Sequence, residues 1–158
     1  MKWLGMALIG LLAASPGLAA DHCKENLIFG KTSIVCSKVR LDETRIRNQI
    51  QKASELYRKA TNLKRTDVGG VIVFIVEPAE INNSEKIRLA RGDAPVVGRY
   101  FTPGVLGPQA TIYLTTDVFK PGNTDLIHEF VHHFNYQNQI TGDRDEALAR
   151  RIETQYVE

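Results

Sequence analysis

The chain has 158 residues, with 20 Lys and Arg against 18 Asp and Glu, and 43% of its side chains are apolar. This suits one globular domain with a real core and leaves too little for two. The near-neutral balance excludes the strongly basic surface that nucleic acid or an anionic membrane would require of a partner.

Residues 1–20 open with Lys2, continue as an apolar run from Leu4 to Ala14, and end on the small residues Gly17, Ala19 and Ala20. The pattern predicts a secretory signal peptide cleaved near Ala19 or Ala20. The apolar run falls short of the roughly 20 residues that span a bilayer, and Ser15-Pro16-Gly17 interrupts it. The expectation is therefore a periplasmic or secreted product with no stable membrane insertion after cleavage. Removing twenty of 158 residues leaves 138, a single domain over 21–158, and the loss of Lys2 leaves 19 basic against 18 acidic side chains, net +1. Export puts Cys23 and Cys36 where disulfides persist, and a bridge between them would contribute on the order of 3 kcal/mol in the chain-entropy model. The competing use, as zinc thiolates, lacks a second pair of soft ligands, since only His22 lies nearby.

Leu27 to Val39 is mixed and can hold short strands. From Asp42 onward, Ile46, Ile50, Ala53, Leu56, Tyr57 and Ala60 recur at steps of three and four, which predicts an amphipathic helix. Val71 to Val76 is uniformly apolar and rich in β-branched residues, as in a central strand buried on both faces. Residues 78–95 are polar and carry no clear period; the triplet Arg91-Gly92-Asp93 within them is read as coincidence. Val96 to Thr102 and Ala110 to Thr115 flank a Pro- and Gly-rich connection and predict a hairpin with a long loop. Asn123 or Thr124 can cap a helix running to about Asn138, Thr141-Gly142 breaks it, and Asp143 can cap a last helix.

The chemistry sits on the first of these two helices, in His128-Glu129-Phe130-Val131-His132. Residues four apart share a helix face, so His128 and His132 can place two imidazoles on one metal while Glu129 lies beside them. Zinc suits imidazole ligands, and with three protein ligands it keeps a position for a water whose pKa falls to about 7. Glu129 is then the expected general base, taking a proton from that water and passing it to a leaving amine. Three fixed positions recur by accident in roughly one chain of this length in two hundred. The context is more specific: Ile127, Phe130, Val131 and Phe134 form an apolar stripe away from both histidines, as a helix buried on one side and polar on the other requires.

The segment Asp145-Glu146-Ala147-Leu148-Ala149-Arg150 resembles the downstream glutamate segment of the gluzincin metallopeptidases, in which a glutamate followed by a small and an apolar residue completes a His-Glu-x-x-His site. The resemblance reaches back to Tyr113-Leu114, similar to the strand that in such enzymes precedes the metal helix and pairs with an extended substrate, and it covers about residues 96–153. It implies Glu146 as third ligand, one Zn2+ per chain, and a peptide or protein substrate. Three departures are visible. The spacing from His132 to Glu146 is shorter than in thermolysin-like members, Arg150 stands where those carry an acidic partner for a zinc histidine, and only one helix follows Glu146. A minimal form is implied, with its transition-state donor drawn from the same domain; Tyr136 and Tyr100 are the candidates, and His133 is either a supporting partner or an exposed or capping residue.

One alternative concerns Glu146 itself. Asp143 and Glu146 also have capping-box spacing, which would leave Glu153 as the third ligand. The expected fold is α+β and zincin-like: a small twisted, mostly antiparallel sheet, a backing helix on one side, and on the other an active-site helix and a C-terminal glutamate helix. The metal is expected between the active-site helix and the outer strand. Two other functions fit the same residues, a zinc hydrolase acting on a cell-wall or other amide and a non-catalytic zinc-stabilised binding module. An intact Glu129 argues against the second, because a structural zinc needs no base.

Overall fold

The computed structural model describes residues 25–29, 33–37, 40–83 and 98–156, the first two segments as backbone only. The expected leader, Cys23 with its expected disulfide, and the Arg91-Gly92-Asp93 triplet lie outside the described residues. Strands β1 (Glu25–Phe29) and β2 (Ser33–Ser37) are followed by helix α1 (Glu43–Thr61), β3 (Val71–Val76) and the short helix α2 (Pro78–Asn83). Then come β4 (Gly98–Phe101), β5 (Ala110–Thr115), a single 3-10 turn (Thr116–Phe119), α3 (Asp125–Gln137) and α4 (Asp143–Glu153). The class is mixed α+β.

Local signals explain the helices. Asp42 accepts the Arg45 N–H and starts α1, and Asn62 in the left-handed region ends it. The apolar positions named above, from Ile46 to Tyr57, are all buried. At the start of α3 the cap falls to Asn123, whose Oδ1 accepts the Asp125 N–H while its Nδ2 donates to the Asp125 carboxylate; the Thr124 side chain makes no such bond. Gly142, at φ 67°, turns the chain into α4, a conformation that favours glycine.

The sheet runs β1-β2-β3-β5-β4. β1 with β2 and β4 with β5 are antiparallel, whereas β2 with β3 and β3 with β5 are parallel. It is therefore a mixed sheet and not the mostly antiparallel one expected. The reason is that α1 is the crossover between β2 and β3, which a sequence reading that left β2 undefined could not see. A second correction concerns layers. Side chains of α1, α3 and α4 join Val71, Val73, Ile75, Ala110, Ile112 and Leu114 in one core, so the expected backing helix α1 shares a face of the sheet with α3. The opposite face carries a smaller cluster of Val76, Ile81 and Phe101, and Ile72 and Phe74 of β3 are only half-buried there. A third correction follows from the strand order. β5, with Tyr113 and Leu114, is interior to the sheet, so the edge beside the helices that an added strand could pair with is β4.

Polar ties fix α3 at both ends. The Arg45 guanidinium donates to Phe119 O and Lys120 O, and Gln49 Nε2 donates to Asn123 O, anchoring the incoming loop to α1. At the far end Gln137 and Asn138 bind the backbone of Arg65 and Asp67. Among the described residues no helix is long and apolar enough to cross a membrane.

Candidate metal centre

The apolar stripe of α3, Ile127, Phe130, Val131 and Phe134, is fully buried, and that burial sets the rotation of the helix. His128, Glu129, His132 and Tyr136 are left lining a cleft of about 610 Å³ whose other walls are Gly98, Arg99 and Tyr100 of β4 and Asp145, Glu146, Arg150 and Glu153 of α4. The strand that walls this cleft is β4, and not the Tyr113-Leu114 strand that the resemblance set opposite the helix.

Within it, the Nε2 atoms of His128 and His132 lie 3.0 Å apart, and Glu146 Oε2 is 3.6 Å from the first and 3.4 Å from the second. The two imidazoles and this carboxylate each offer one atom, all within 4.8 Å of one another, and form a group that can hold a metal ion. The outward nitrogens are held as well. His128 Nδ1 is 2.7 Å from Glu153 Oε2, and His132 Nδ1 is 2.7 Å from Asp145 Oδ1. A ring that gives its Nδ1–H to a carboxylate turns a lone pair out at Nε2, which is how metal-binding histidines are fixed in tautomer and orientation. Asn135, fully buried, donates Nδ2 to both Asp145 Oδ1 and Asp145 O, steadying that carboxylate in turn.

The donor set passes a simple test of fit. Zinc bonds of about 2.0–2.1 Å in a tetrahedron put ligand atoms about 3.3 Å apart, and the three separations of 3.0, 3.4 and 3.6 Å bracket that value. With both Nδ1 protons committed to carboxylates, two lone pairs and a carboxylate oxygen face one point, an arrangement that a cation at that point relieves.

Glu146 is not a helix cap. The residue before α4 is Gly142, Asp143 is already helical, and no side chain caps that end; Glu146 Oε1 instead takes the Arg150 Nε at 2.7 Å. Arg150 therefore steadies the candidate ligand, while the acidic contact to His128 comes from Glu153, seven residues after Glu146. Sequence reading considered Glu153 only as a rival ligand and missed Asp145 and Asn135 as supports. The available signal was that Glu153 and Glu146 share a helix face.

Glu129 lies beside this cluster and outside it. It is buried, its Oε2 has no hydrogen-bond partner, and the Tyr100 backbone N–H bonds its carboxylate. Burial pushes its pKa up to about 8, against the opposing pull of Arg99 and the Tyr100 N–H; Asp125 and Glu146 add to the rise.

The remaining candidates separate. His133 is buried, not exposed: its Nε2 lies 3.1 Å from Asp67 O and its Nδ1 3.3 Å from the Tyr100 hydroxyl. The Gln137 Nε2 also lies 2.8 Å from His133 Nε2, and burial lowers the His133 pKa to about 4, so the ring is neutral. Burial raises the Tyr100 phenol well above its usual range, and its hydroxyl is engaged with His133 Nδ1. Tyr136 is 46% exposed on the cleft wall.

Comparison of the chain with protein-family models, curated proteins and solved structures finds no match.

Proposed function

We propose that this chain is an exported zinc metallohydrolase, a metallopeptidase of minimal gluzincin type, with His128, His132 and Glu146 as metal ligands and Glu129 as general base. The observation that carries the reading is the convergence of His128 Nε2, His132 Nε2 and Glu146 Oε2 on one point, with both Nδ1 atoms held at 2.7 Å by carboxylates. When bound, zinc supplies Lewis acidity, which polarises a carbonyl and acidifies a water.

The protein's own groups do the rest. Glu129, one residue after His128 and buried against β4, accepts a proton at its carboxylate and returns it to the departing amine. Its burial keeps bulk water from competing for the proton. The edge of β4 offers main-chain groups to an extended peptide, which favours a peptide or protein substrate. Tyr136 is the donor for the developing oxyanion, because it lines the cleft and is half exposed, while the Tyr100 hydroxyl is engaged with His133 Nδ1.

Glu129→Gln tests this assignment. Turnover of peptide should fall by on the order of a hundredfold or more with about one zinc retained per chain. Loss of the zinc, with the residual rate per bound metal unchanged, would instead make Glu129 a ligand.

A further inference from the structure

The described glycines differ in what they are needed for, and a Cβ at Gly107 would meet nothing within 4 Å. Gly70, Gly104, Gly122 and Gly142 have positive φ, and a Cβ added to any of them meets nothing within 4 Å. They serve turns. Gly98, the first residue of β4, has no such backbone requirement, but a Cβ there would lie 2.9 Å from Leu114 Cδ2, 3.0 Å from Glu129 Oε1 and 3.3 Å from Glu129 Cγ. What this position needs is space, and two of the three nearest atoms belong to one side chain.

That side chain is the base of the proposed reaction. Its carboxylate reaches the edge strand, accepts the Tyr100 N–H, and leaves Oε2 buried without a partner beside the metal ligands. Leu114, opposite Gly98 in the register of β4 and β5, closes the floor beneath it. Glycine is thus the residue that lets the backbone of β4 and the carboxylate of Glu129 come together.

We propose that Gly98 is a positioning residue for Glu129: the missing side chain forms a socket on the edge strand that seats the carboxylate against β4 and fixes its distance from the metal ligands. Any side chain at 98 displaces the carboxylate along α3 or into the cleft. A displacement of the order of 1 Å suffices to lose about a hundredfold in rate where proton transfer depends on placement.

The socket itself is independent of activity, whereas its effect on turnover rests on the hydrolase reading, so the test has two arms. In the zinc-loaded protein lacking residues 1–20, Gly98→Ala should keep about one metal per chain and a KM within about twofold, while kcat falls ten- to a hundredfold. In the metal-free protein, Gly98→Ala should lower the unfolding midpoint by a few degrees. Much less of that loss should appear in a Glu129→Ala background, where nothing is left to displace but Leu114. Repeating this cycle in a Leu114→Val background removes the third contact, and the coupling between positions 98 and 129 should persist. Additive effects of Gly98→Ala and Glu129→Ala on stability would overturn the socket. A strong stability coupling with kcat unchanged in an active enzyme would overturn its role in positioning the base. If the parent protein hydrolyses no peptide, the hydrolase reading fails while the stability cycle still decides the contact.

Discussion

His132 and His133 are neighbours on one helix and serve opposite purposes. His132 faces the cleft, gives its Nδ1–H to the Asp145 carboxylate, and turns Nε2 toward His128 and Glu146. His133 points into the body of the protein, with Nε2 against the Asp67 carbonyl and the Gln137 amide and Nδ1 against the Tyr100 hydroxyl, so both nitrogens are used and none remains for a metal. The pair teaches that the partner of the second nitrogen, more than burial, separates a ligand from a structural histidine. A carboxylate on Nδ1 leaves a basic nitrogen turned toward a second imidazole and a carboxylate; neutral polar groups at both nitrogens satisfy the other ring.

The sharpest way to break this contrast is to remove each ring in turn. His132→Ala should reduce zinc affinity at least a hundredfold in a competition titration, because a three-ligand site with one ligand gone keeps little. His133→Phe should leave the zinc stoichiometry unchanged and cost about 1–3 kcal/mol in denaturant unfolding, through the loss of the ring's bond to the Tyr100 hydroxyl. Equal loss of metal in both variants would erase the distinction.

A smaller effect is expected from the carboxylates that orient the rings. Asp145→Asn and Glu153→Gln keep the shape and remove the charge that favours the Nδ1–H tautomer, so each should weaken zinc binding by roughly ten- to a hundredfold with the folded state intact. Glu146→Ala, as loss of a ligand, should exceed both. If Glu153→Gln instead proved the more damaging, Glu153 and not Glu146 would hold the metal.

The pH dependence of the metal-free protein gives the mildest signal. Glu129 has its pKa raised by burial from 4.5 to about 8, so the folded state holds a proton that the unfolded chain has released. By linkage, stability is then lost as pH rises from about 4.5 to about 8. Glu129→Gln removes that loss, and the metal-free variant should melt higher than the parent at pH 8 by on the order of a few kcal/mol, with the two converging below pH 4.5. Convergence at all pH values would show the carboxylate to be solvated in the absence of metal.

How far the sequence reaches can be judged from the same elements. The steps of three and four from Ile46 to Tyr57 give α1, the run Val71–Val76 gives β3, and the stripe from Ile127 to Phe134 gives both α3 and the side on which its histidines stand. Periodicity reports which face of an element is buried and not which layer buries it. The placement of α1 beside α3 and the parallel pairing of β2, β3 and β5 were therefore hidden. The short α2 escaped because six residues, Pro78–Asn83, contain too few turns to show a period. At the site, His128, Glu129 and His132 are fixed by spacing along one helix and are legible on that account. Asp145 and Glu153 act across two helices, and an acidic residue on an amphipathic helix looks alike whether it faces water or an imidazole. Gly98 gave no signal at all, since a glycine at the start of a strand predicts a bend sooner than a socket.

The central claim is that two imidazoles and one carboxylate bind a single zinc on which hydrolysis depends, and elemental analysis through a cycle of chelation and reloading tests it most directly. The account predicts about one zinc per chain in the protein lacking residues 1–20, loss of peptide hydrolysis in step with loss of the metal, and recovery of both on adding one equivalent. Protein that is free of metal and still cleaves peptide at the full rate would contradict it.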